Sequence, residues 1–138
     1  MVRETRHLGV RIQRDAADVY AFCAEPANLP RWAAGLSGSI AQVDGRWLAD
    51  SPMGRVEVEF APRNPFGVLD HLVRLPGGDT VENPMRVLRD GEGAEVVFTL
   101  RRRDGVTEEE FEADADAVLA DLEALKRLLE SHEDARRG

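Results

Sequence analysis

Between Thr5 and Gln13 apolar and polar residues alternate, with Leu8, Val10 and Ile12 on one face and His7, Gly9 and Arg11 on the other. That period predicts a half-buried strand. Asp15 is placed to cap a short helix carrying Val19, Tyr20, Phe22 and Cys23, which Pro26 stops. The stretch NLPRWAAGL predicts a second short helix, with Asn28 as cap, Pro30 in its first turn and Gly35 near its end. From Ser39 to Arg102 strands and turns follow one another, and turn length decides which side chains share a face. A two-residue turn at Asp44-Gly45 sets Gln42 opposite Trp47 and Ile40 opposite Ala49. A four-residue connection, Ser51 to Gly54, sets Trp47 opposite Val58 and Ala49 opposite Val56, leaving Glu57 and Glu59 to water. The turn at Gly91-Glu92 likewise sets Val87 opposite Val96, Met85 opposite Phe98 and Asn83 opposite Leu100.

The run GVLDHLVRL divides into Leu69, His71, Val73 and Leu75 on one side and Val68, Asp70, Leu72 and Arg74 on the other. The first set is the more apolar and is expected to point inward, with Asp70 and Arg74 exposed. An even turn at Gly77-Gly78 would put Pro84, not Met85, on the face of His71 and so contradict the next hairpin. Either the loop is odd in length, or Pro84, which has no N–H to give to a ladder, marks a bulge. After Asp104-Gly105, TEEEF reads as a capping box of Thr107 and Glu110. Apolar residues then recur at 111, 115, 118, 122, 125 and 129, which predicts a long amphipathic helix covering the sheet and fraying from about residue 132. Glu108 to Glu112 at its start are explained by capping and the helix dipole, not by a cation. The sum is an α+β chain: one strand, two short helices, about six more strands and a long C-terminal helix.

Composition narrows this picture. At 138 residues the chain is expected to form a single domain, residues 1–138, because halves of it would bury too little surface. A net charge of −8 repels phosphate backbones and anionic lipid heads, so neither nucleic acid nor a membrane is an expected partner. Residues 1–9 carry Arg3, Glu4, Arg6 and His7 with no apolar run behind them, which predicts no signal peptide and a cytoplasmic protein. Cys23 is the sole cysteine, and His7, His71 and His132 lack a metal-ligand spacing. No metal and no cofactor is expected, and Cys23 reads as a small buried hydrophobe.

The segments VYAFCAEPANLPRWAAGL, FGVLDH, NPMRVLRDGEGAEVVFTL and DGVTEEEFEADADAVLADLEALKRLLE, in this order, resemble the START-like and Bet v 1-like (SRPBCC) superfamily. Within it, the bacterial polyketide cyclase/dehydrase-like proteins are the nearest in pattern, over about Thr5 to Ser131. The resemblance implies the helix-grip fold, a curved antiparallel sheet of about seven strands gripping the last helix, with a hydrophobic ligand held between them. That superfamily includes lipid carriers, hormone receptors, aromatase/cyclases and co-chaperones.

On the inward faces a few polar side chains stand among apolar ones. Gln42, His71 and Asn83 are expected to orient a small hydrophobic or aromatic ligand, with Trp32, Trp47, Val58, Phe60, Met85 and Phe98 lining its cavity. The plain alternative is that these polar groups meet backbone or water, and that the aromatics and Met85 are simple core. His71 is the candidate acid or base, since its ordinary pKa of about 6.5 lets it exchange protons near neutrality. Three classes of function stay open. One is a binding protein. Another is a cyclase/dehydratase using His71, and the third is an interaction module, monomer or homodimer, presenting the outer face with Val43 and Leu48.

Overall fold

The computed structural model describes residues 3–35 and 39–137, and side chains as far as Ser131. Its elements are β1 (Thr5–Ile12), α1 (Ala16–Cys23), a 3-10 helix (Pro26–Arg31), β2 (Ile40–Val43), β3 (Arg46–Ser51), β4 (Gly54–Phe60), β5 (His71–Arg74), β6 (Thr80–Asn83), β7 (Met85–Asp90), β8 (Gly93–Arg101) and α2 (Glu108–Arg137). The strands form two antiparallel groups in the orders β1-β8-β7 and β2-β3-β4-β5-β6. Among the described residues there are eight strands where the pattern predicts about seven. The extra one arises at Pro84, where the chain leaves one group and joins the other.

Most of the predicted register is present. Gln42 lies opposite Trp47, Trp47 opposite Val58, Ala49 opposite Val56, and Met85 opposite Phe98. Of the two ways to resolve the parity conflict, the odd loop is the one taken: the Leu75 N–H donates to the Asp79 carbonyl at 2.8 Å, which leaves Pro76, Gly77 and Gly78 between them. Gly78 sits at φ 97°, a conformation that glycine adopts without strain. The consequence is that Asn83 pairs with His71 and not with Leu100. At Pro84 the missing N–H ends the β6 ladder, while its carbonyl still accepts from the Thr99 N–H at 2.9 Å.

The two groups are joined by residues 67–69. Val87 N–H donates to the Gly67 carbonyl and Leu69 N–H to the Met85 carbonyl, both at 2.9 Å, before the same run continues into β5 and pairs with β4. Asn64 braces the approach: its Oδ1 accepts from the N–H groups of Phe66 and Val68, and its own N–H donates to the Tyr20 hydroxyl. A chain that pairs with β7 at one end and β4 at the other forces the curvature that opens a concave face.

The expectation for the second short helix is corrected. The second helix is a 3-10 turn with Glu25 at its N-cap, and Asn28 instead donates from its side chain to the Phe22 carbonyl, closing the end of α1. Pro30 inside a six-residue segment explains the tighter winding. The Leu36 end of NLPRWAAGL lies outside the described residues. α2 continues to Arg137. Its start is the predicted capping box, Thr107 N–H to Glu110 Oε1 at 2.9 Å and Glu110 N–H to Thr107 Oγ1 at 3.1 Å.

Phe111, Ala115, Leu122, Leu125 and Leu129 are all buried, so the stripe on α2 is the face that meets the sheet. Each such leucine contributes about 1.5–3 kcal/mol of burial. Lys126 Nζ donates to the Arg11 carbonyl at 2.9 Å and Arg14 donates to the Leu129 carbonyl at 3.1 Å, which ties the helix along β1. Of the four side chains expected outside, Glu59, Asp70 and Arg74 are 39–59% exposed. Glu57 is only 18% exposed, because Arg46 and Arg74 close over its carboxylate. No helix among the described residues is long and apolar enough to cross a membrane.

Candidate functional site

Between the concave face and α2 lies a cavity of about 330 Å³. Its floor is Val56 and Val58 of β4, Val73 of β5 and Phe98 of β8; its roof is Val118 and Leu122 of α2; Leu29 and Trp32 wall one side and Ser51, Pro52 and Met53 of the β3-β4 turn another. The polar side chains are few: His71, Asn83, Ser51 and Asp121.

Register explains how two of these meet. His71 and Asn83 are directly paired across β5 and β6, so both project to the same face. His71 is 8% exposed. Its ring stacks on Phe60 at 4.8 Å between centroids and meets Phe98 edge-on at 6.2 Å. His71 Nδ1 lies 3.0 Å from the Leu69 carbonyl. A carbonyl can only accept, so Nδ1 carries the proton and Nε2 keeps a lone pair. Burial lowers the imidazole pKa below its ordinary 6.5, against weaker opposing effects of the Leu69 carbonyl and Asp70. The ring is therefore neutral near pH 7, a hydrogen-bond acceptor at Nε2. Asp70 does not orient it: strand alternation turns that carboxylate to the other face, where it accepts from the Met85 N–H at 2.9 Å and pairs with Arg86.

Asp121 was not among the residues expected here. It stands three residues after Val118 and four before Leu125, at the edge of the apolar stripe, and that flank position is the signal the sequence offers. Its Oδ1 accepts from the Ala34 N–H at 3.1 Å. Burial raises its pKa above the usual 3.8, with the Ala34 hydrogen bond opposing. Trp32 is 6% exposed and its indole N–H has no acceptor among the described residues. A buried donor left unpaired costs about 1–3 kcal/mol.

Of the side chains expected to line the cavity, Trp32, Val58, His71, Asn83 and Phe98 do. Four do not. Gln42 is exposed, because β2 lies at the sheet edge beyond the reach of α2. Trp47 shares the face of Val58 but lines a separate groove with Pro26 and Phe60. Phe60 does not line the cavity and stacks on the His71 ring. Met85 is 1% exposed and belongs to the solid core. Cys23 is buried, with its thiol pushed up to about 12 by that burial, and is inert as a nucleophile. No group of three His, Cys, Asp or Glu side chains among the described residues is placed to hold a metal ion.

No family model and no curated protein matches this chain. Solved structures do. XoxI from Bacillus cereus is 14% identical, with a TM-score of 0.71 over 90% of this chain and 94% of its own. Ara h 8.0201 is 12% identical, with a TM-score of 0.69 over 94% and 99%. The di-domain ARO/CYC BexL, from the BE-7585A biosynthetic pathway, is 17% identical with a TM-score of 0.69, over 92% of this chain and 46% of BexL. The chain has the Bet v 1-like helix-grip fold, which it shares with Ara h 8.0201 and the ARO/CYC protein BexL. At these identities the likeness shows the fold and leaves the function to the site.

Proposed function

We propose that this protein binds a small, mostly apolar molecule in the cavity beneath α2. The observation that carries the reading is the lining: apolar walls from the sheet, α2 and the 3-10 segment around a handful of polar groups at His71, Asn83, Trp32 and Asp121. A core would fill that space, whereas a binding site leaves it open and keeps a few polar groups to orient a guest. A volume of about 330 Å³ is near the lower end of small-molecule sites, roughly 300–1,000 Å³. It favours a ligand of one or two rings over a long-chain lipid.

Binding is favoured over proton-transfer catalysis because His71 is buried and held neutral, and its ring hydrogen-bonds to the backbone carbonyl of Leu69. A general base is usually held by a carboxylate that steadies the imidazolium it becomes. Mass spectrometry of small molecules released from the purified protein, with titration of an apolar fluorescent probe, tests the reading. A retained ligand, or probe binding that Val58→Trp abolishes by filling the cavity, is expected. No retained ligand together with no probe binding would refute it.

A further inference from the structure

We propose that the cavity selects by charge, taking an apolar body that carries a protonated amine and rejecting one that carries a carboxylate. This rests on the binding reading above. Among the described residues that line the cavity, Asp121 is the one charged side chain, and no lysine or arginine lines it. The three residues after Gly35, which are Leu36, Ser37 and Gly38, bring no ionisable group either. Asp121 spends one oxygen on the Ala34 N–H and has no other hydrogen bond or ion pair among the described residues. Its second oxygen is left for a donor.

The other titratable group works in the same direction. His71 keeps its proton on Nδ1, against the Leu69 carbonyl, and so offers a lone pair to whatever meets Nε2. An anionic guest would thus enter a partly desolvated space with no cation to meet it, beside a carboxylate that repels it. An ammonium would find a charged acceptor and a neutral one. In a low-dielectric site charged pairs of this kind weigh far more than in water. The selectivity comes from what Asp121 faces, and it differs from the general attraction of a chain with net charge −8, which salt screens.

The test uses three probes of one shape: 2-naphthylmethylamine, 2-naphthol and 2-naphthoate. Their affinities are measured by calorimetry at pH 7 in about 0.15 M salt. The amine is expected to bind at least tenfold more tightly than the carboxylate, with the naphthol between them. In Asp121→Asn, which keeps an oxygen for the Ala34 N–H, the gap between amine and carboxylate is expected to shrink to within threefold. A thermal melt of the variant guards against misfolding. Equal affinities, or a preference for the carboxylate, would overturn the charge selection and leave cavity binding standing, since naphthol would still bind. A gap that persists in Asp121→Asn would assign it to the general field and overturn the role of Asp121. Binding of none of the three would overturn this inference and, if no small molecule is released from the purified protein either, the reading on which it rests.

Discussion

Replacing Gly67 by alanine adds one methyl group and is expected to remove about 3 kcal/mol of stability or more. Gly67 sits at φ 72° in the segment that joins the two strand groups, and a Cβ built there would lie 2.2 Å from the Val87 carbonyl oxygen. The obstacle is backbone, so no side chain can swing aside. The left-handed conformation alone costs an L-residue about 1–2 kcal/mol. Relieving the clash means parting residue 67 from β7, which sacrifices the Val87 N–H to Gly67 carbonyl hydrogen bond of 2.9 Å. That bond is worth about 0.5–1.5 kcal/mol net, and more if its groups stay buried and unpaired. Gly77→Ala is the control, because a Cβ at that position meets nothing within 4 Å and its φ is not in the left-handed range. It should be neutral or stabilise by up to about 1 kcal/mol. Urea melts of both variants against the wild type, read at constant slope, decide the matter. A Gly67→Ala protein within about 0.5 kcal/mol of wild type would refute the reasoning, and with it the view that this close approach sets the curvature of the sheet.

Two further outcomes are expected. Leu122→Ala should cost about 2–5 kcal/mol, since Leu122 is 1% exposed and seats α2 over the cavity, whereas Glu123→Ala, on the solvent side, should cost under about 0.5 kcal/mol; equal, small losses in denaturant melts would mean that the helix is not docked. The pH dependence follows from His71, whose folded pKa is depressed below 6.5 by burial. The unfolded chain takes up that proton first, so the stability is full above about pH 6.5 and declines as pH falls toward the folded value. Wild type should therefore lose more stability than His71→Gln between about pH 7.5 and 5, and parallel profiles in denaturant melts would contradict it.

Strand alternation, turn length and helical period are local properties of a chain, and they make much of the architecture legible in the sequence. The pairings of Trp47 with Val58 and of Met85 with Phe98 follow from counting residues through turns, because a side-chain period of two leaves no freedom once the loop length is known. The capping box at Thr107 and the stripe from Phe111 to Leu129 are equally local. So is the inward face of His71, since strand parity needs only its neighbours. The extent of each strand was another matter. Gln42 obeys the same parity as Val58, yet it sits on an edge strand that α2 does not cover, and Met85 obeys it in a place where the core closes solid. Whether an inward side chain meets a cavity, a groove or packed core depends on how far the helix reaches and how sharply the sheet bends. Both are settled by contacts between residues distant in sequence, such as Gly67 against Val87 and Lys126 against Arg11. Asp121 shows the same division: the helical period places it at the edge of the stripe, but only the meeting of α2 with the segment at Ala34 turns an edge carboxylate into part of a cavity wall.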